Sequence, residues 1–94
     1  MVSQLGERRG LGQLFSEPEN WHFGSALPLM ELTGDRRLLI ENHRGILEYS
    51  AERITVQVKF GTVSIIGTGL ELCYISEKQL IVVGKIHEIV LERR

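Results

Sequence analysis

The 94 residues allow a single small domain, since a chain of this length hides only about two-thirds of the surface that its unfolded form exposes. An apolar share of 43% with 24% charged residues excludes a fully disordered chain. A formal net charge of -1 excludes a general electrostatic pull toward nucleic acid or anionic lipid, and the single cysteine, Cys73, excludes an internal disulfide.

Residues 1-26 differ from the rest of the chain. Three glycines fall before residue 13, Ser16-Glu17-Pro18 has turn chemistry, and Leu11, Leu14 and Phe15 offer one helical turn without a firm cap. The segment reads as a flexible tail with neither the apolar run of a signal peptide nor a membrane span, which argues for a cytosolic protein. Trp21 and Phe23 close it. They suit either a latch that holds the tail on the domain or an anchor for a partner.

From residue 27 to the C-terminus the pattern predicts strands throughout. Pro28 to Leu32 and Arg36 to Glu41 flank Gly34-Asp35, which suits a two-residue hairpin turn. In Ile54 to Phe60 the alternation is clean: Ile54, Val56, Val58 and Phe60 face one way, Thr55, Gln57 and Lys59 the other. Further runs occupy Val63 to Ile66, Leu70 to Ile75, Leu80 to Val83 and Ile86 to Leu91. In the last, Ile86 and Ile89 are three apart and predict a bulge or bend.

The stretch Gly45 to Val56 resembles Gly69 to Val82, each with a Ser four residues before the Ile or Leu that opens the next strand. Each copy ends in an apolar-Gly-x-apolar step, Phe60-Gly61-Thr62-Val63 and Val83-Gly84-Lys85-Ile86. The likeness implies two related strand-turn-strand units. The expected fold is all-β, a compact antiparallel sandwich or roll of about seven short strands whose open edges favour self-association or docking.

The richest polar cluster is Glu41-Asn42-His43-Arg44 with Glu48 beyond it. As a catalytic set, Glu41, His43 and Glu48 would make a small hydrolase or metal-dependent enzyme. Such a site needs convergence on a pocket, and no nucleophile elbow, phosphate loop or metal-ligand spacing supports it. The cluster reads better as a turn, with Asn42 and Gly45 supplying the backbone angles while His43 and Arg44 project outward or pair with Glu41 and Glu48. Below it, Ile46, Leu47 and Tyr49 would anchor the turn. Cys73, Tyr49 and Tyr74 read as core. A nucleic-acid surface would need Arg36, Arg37, Arg44, Arg53 and Lys59 on one stripe.

Several stretches resemble the YabP/YqfC family of sporulation proteins, and the YqfC branch more closely. They are Leu27-Pro28, Thr33 to Arg37, the run Ile40 to Ser50, Gly61, Ile65-x-Gly67, Leu70 and Val83-Gly84-Lys85-Ile86. The likeness covers about residues 27-91; Trp21-His22-Phe23 has no obvious counterpart in it. It implies a non-catalytic protein without cofactor or metal, made in the mother cell of an endospore former and needed for spore formation. It also implies a membrane-embedded sporulation protein as partner, and a cytoplasmic location that becomes peripheral at the forespore membrane through that partner; the open edges add a homo-oligomer as the other expected association. From the turn and from the aromatics that close the tail, Asn42, His43, Arg44, Trp21 and Phe23 are the candidate interaction residues.

Overall fold

A computed structural model describes residues 27-94; the expected tail, with Trp21 and Phe23, lies outside the described residues. Six antiparallel strands and no helix make up the described chain: β1 Leu29–Thr33, β2 Arg37–Glu41, β3 Ile46–Tyr49, β4 Arg53–Val58, β5 Gly61–Ile75 and β6 Gln79–Arg93. They form one sheet in the order β1-β2-β6-β5-β4-β3. The alternation of β4 is realised in full. Ile54, Val56 and Val58 are wholly buried, Thr55 and Gln57 half-buried, and Phe60, just past the strand, packs against the core.

The four short runs after residue 60 are two continuous strands of 15 residues each, and Ile46 to Tyr49, expected as the anchor below the turn, is a strand of its own, so the count is six. Gly61 does close a hairpin, because Val58 pairs with it directly. Gly67, Gly69 and Gly84 instead mark a corner at which the β5-β6 ribbon bends without reversing. A side chain at Gly84 would stand 2.7 Å from the Gly69 carbonyl oxygen, and one at Gly67 would collide with the Lys85 carbonyl. The two backbones touch there, so only glycine fits. The predicted irregularity near Ile86 is present: Ile66 pairs with Glu88 and Gly67 with Ile86, leaving His87 as the extra residue of a bulge.

Eleven apolar side chains are buried in one cluster, although no helix among the described residues covers the sheet. The sheet therefore covers itself. One layer consists of β1, β2, the first half of β6 and the second half of β5, and contributes Leu38, Ile40, Leu70, Leu80 and Val82. The other consists of β3, β4, the first half of β5 and the second half of β6, and contributes Ile54, Val56, Val58, Val63, Ile65 and Ile86. Strands β5 and β6 belong to both layers. Burying each such side chain contributes roughly 1.5–3 kcal/mol, so this shared face dominates the stability of the fold.

Two hairpin turns hold the corner. The β1-β2 turn presents the carbonyls of Asp35 and Arg36 to the N–H groups of Ile86 and Gly84, at 2.7 and 3.1 Å. The β3-β4 turn presents those of Ala51 and Glu52 to Leu70 and Gly67, at 2.8 and 3.0 Å. The first turn has three residues, Gly34 to Arg36, where two were expected: Thr33 pairs with Arg37, and Gly34 takes a φ of 55°. The third residue has a reason, since Arg36 supplies one of the two corner carbonyls.

The internal likeness is visible as two hairpins of one design. Ser50 N–H donates to the Arg53 carbonyl (2.8 Å) and Ser50 Oγ accepts from Arg53 N–H (3.0 Å). In the β5-β6 turn, Ser76 N–H donates to the Gln79 carbonyl (2.7 Å) and Ser76 Oγ accepts from Gln79 N–H (3.1 Å). A serine in this position satisfies two backbone groups that the reversal would otherwise leave open. The copies diverge afterwards, at Gly61 into a hairpin and at Gly84 into the corner.

Candidate functional site

The connection from β2 to β3 crosses from one layer to the other in four residues, Asn42 to Gly45. Asn42 is the non-glycine residue with positive φ among those described, at 66°, a conformation that Asn tolerates better than most side chains. Its N–H donates to the Lys78 carbonyl (2.6 Å) and its Nδ2 to the Leu27 carbonyl (3.0 Å). The half-buried His43 ring is engaged on both nitrogens. Gly45 N–H donates to Nδ1 (3.1 Å), which places the ring proton on Nε2, 2.8 Å from the Ser76 carbonyl. On the far layer, Arg44 N–H donates to the Gln57 carbonyl (2.7 Å) and Gln57 N–H to the Gly45 carbonyl (2.8 Å). The run is thus a strap, tied to the β5-β6 turn at one end and to β4 at the other.

The cluster therefore separates. His43 faces Ser76 and does not project outward, whereas Arg44 is exposed and its guanidinium has no hydrogen-bond or ion-pair partner among the described residues. Glu48 pairs with Arg53 Nε (3.3 Å) and accepts from Thr55 Oγ1 (3.2 Å), not from Arg44 or His43. Of the three expected anchors only Ile46 packs against the core. Leu47 and Tyr49 are exposed: Leu47 is the extra residue where the β3-β4 register shifts, and Tyr49 lies on an edge strand.

The alternative catalytic set does not converge. Glu41 pairs across the sheet with Leu29 and Gln79 on the outer surface of the first layer, and its Oε2 accepts from Gln79 Nε2 at 2.7 Å. Glu48 pairs with Thr55 on the outer surface of the second. The two carboxylates are on opposite sides of the sandwich, and His43 bonds to a third place. Acid-base catalysis requires groups within reach of one reacting atom. Among the described residues no group of three or more His, Cys, Asp or Glu could hold a metal ion. Arg37 and Arg53 likewise occupy opposite outer surfaces, so they do not share a stripe.

Cys73 and Tyr74, expected in the core, are exposed. Leu72 pairs with Val82 and Tyr74 with Ile81, which leaves Cys73 as an unpaired bulge residue and turns Tyr74 to the outer surface.

The distinctive feature is at the free edges. Among the described residues, β1 and β3 have one neighbour each, residues 71-75 of β5 pair only with β6, and residues 85-93 of β6 pair only with β5. Leu32, Leu91, Tyr49 and Ile75 are directly opposite the buried residues Leu38, Val63, Ile54 and Leu80, so they sit on the core-facing side of the sheet. They are nonetheless 49%, 54%, 57% and 50% exposed. Each stands on one of these edges, where the opposite layer does not reach. Tyr49 Oη accepts from Leu72 N–H at 3.4 Å, bridging the β3 edge to the β5 edge. Alternation marks these residues as apolar-facing, but it cannot say which strands lie outermost.

A family model described as the YabP family matches residues 28–94, all but the first of the described residues. The chain belongs to the YabP family. That family is associated with sporulation and is not a known enzyme family. No curated protein and no solved structure matched the chain. In this YabP domain the run Ile40 to Ser50, which carried the likeness in sequence, forms the end of β2, the strap and β3, the piece that joins the two layers. No helix among the described residues is long and apolar enough to cross a membrane.

Proposed function

We propose that this YabP-family protein is a non-catalytic component of endospore formation, a small β module that binds a membrane-embedded sporulation partner through its open strand edges. The observation that carries the reading is the set of core-facing apolar residues left half-exposed at the edges. A strand supplied by a partner would both complete the main-chain pairing and cover these side chains. The β3 edge is the favoured one. It presents Leu47 and Tyr49, and the exposed Arg44 lies just before it, its charge unpaired among the described residues and suited to an acidic group on the partner. Acting in the mother cell, the protein would reach the forespore membrane through that partner.

The test is complementation in a spore former lacking the gene. Leu47→Lys with Tyr49→Lys should lower heat-resistant spore counts and lose the partner from a cross-linked pull-down, with the variant's circular dichroism unchanged. Normal spores in the strain without the gene would end the sporulation role. Retention of the partner by the edge variant would end the edge assignment.

A further inference from the structure

The two outer surfaces of the sandwich differ in chemistry. That of the second layer is mostly polar, its rows reading Glu48, Thr55, Ser64, Val90, then Gln57, Thr62, Glu92, and Arg53, Ile66, Glu88, with Ile66 and Val90 as its two isolated apolar members. The first layer's central row reads Glu31, Leu39, Ile81, Tyr74, with Val83 two residues along β6 from Ile81 and Leu29 at the adjacent corner. Leu39, Ile81 and Val83 are half-buried, while Leu29 and Tyr74 are exposed. The apolar row Leu39-Ile81-Tyr74 across three strands, flanked by Arg37 and Glu71 beside Val83 and by Glu41 and Gln79 beside Leu29, has no cover among the described residues.

We propose that residues Trp21 to Phe23 of the same chain dock on this stripe. The chain outside the described residues enters beside it: the Leu27 carbonyl is held by Asn42 Nδ2 (3.0 Å) two residues before Leu29, itself on this surface. Trp21 is six residues before Leu27, a span of up to about 20 Å at roughly 3.3 Å per residue. The stripe runs from β2 to β5, one to three strand spacings from β1, or about 5–14 Å. That span covers the whole stripe for Trp21, and the four residues from Phe23 to Leu27, up to about 13 Å, cover its β2 and β6 part. A tether this short holds them near the stripe at an effective concentration of about millimolar, which favours this segment over a second copy at ordinary protein concentrations. Each ring can bury on the order of 150–250 Å², more than a single exposed aliphatic side chain offers, and the row Leu39-Ile81-Tyr74 sets three apolar side chains side by side.

Trp21 is the only tryptophan of the chain, so its fluorescence reports the contact directly. In the full-length protein its emission should lie to the blue of the urea-unfolded chain, with acrylamide quenching several-fold weaker. Ile81→Lys and, separately, Tyr74→Lys should shift the emission to the red and restore quenching, while Thr62→Lys on the other outer surface should not. Circular dichroism must show each variant folded; Tyr74, being exposed, keeps the test valid if Ile81→Lys fails to fold. Three results would overturn the proposal: quenching as strong in the folded protein as in urea, a blue shift untouched by Tyr74→Lys, or a blue shift that grows with protein concentration. The last would assign the stripe to a second copy.

Discussion

His43 and Arg44 are neighbours in sequence with similar polarity, yet their contributions to stability should differ sharply. His43→Ala removes two partly buried hydrogen bonds, one to the Ser76 carbonyl and one from Gly45 N–H. At roughly 0.5–1.5 kcal/mol each, the loss is about 1–3 kcal/mol. Arg44→Ala removes a side chain without a partner among the described residues and should stay within about 0.5 kcal/mol. Urea unfolding followed by circular dichroism measures both. With a slope near 1 kcal/mol/M for a domain of this size, His43→Ala should lower the midpoint by about 1–3 M at unchanged slope. His43→Gln, whose carboxamide carries one acceptor and one donor group, should recover part of the loss. Equal midpoints for the two alanine variants would refute the strap, because the histidine would then stabilise no more than a solvated arginine does.

The remaining predictions concern the corner, the turns and the edges. Gly84→Ala places a Cβ against the Gly69 carbonyl and at an unfavourable φ, so it should cost well over 2 kcal/mol or prevent folding. Gly34→Ala, with open space around it, should cost only about 1–2 kcal/mol in thermal melts. Ser50→Ala and Ser76→Ala should each lose about 1 kcal/mol and add in the double variant, since the two turns share no partner. Ile54→Ala, wholly buried, should cost about 2–5 kcal/mol by urea titration, against less than about 0.5 for the edge residue Ile75→Ala.

Much of the fold is local enough to be read along the chain. The alternation of β4 needs only its own residues, and so do the two serine turns, where Ser50 and Ser76 bond to groups three positions away. The bulge near Ile86 is likewise a break in step that any observer of periodicity meets. The misreadings have a common cause. Gly61 and Gly84 stand in the same apolar-Gly-x-apolar setting, yet one reverses the chain and the other bends it. The difference comes from the β1-β2 turn, whose carbonyls occupy the N–H groups of Gly84 and Ile86 and hold β6 in pairing through the corner.

The candidate site was legible as a location and less so as a set of roles. Asn42 to Gly45 is a turn by residue chemistry alone, but His43 finds Ser76 only because the β5-β6 turn arrives beside it, 33 residues later.

The order of amino acids was enough to establish the class of the protein: the all-β fold of the described residues, its family, its two matched hairpins and which side chains along each strand are apolar. Period-two alternation sorts side chains into two faces because neighbouring Cβ atoms point oppositely. It carries no record of which strands lie at an edge or which face another layer covers. Only the folded chain reveals that Tyr49, Ile75, Leu32 and Leu91 face the core side and remain open, that Cys73 stands out in a bulge, and that Glu41 and Glu48 are on opposite sides. Burial in a folded sheet depends on what the other half of the sheet reaches, and that is a property of strand order.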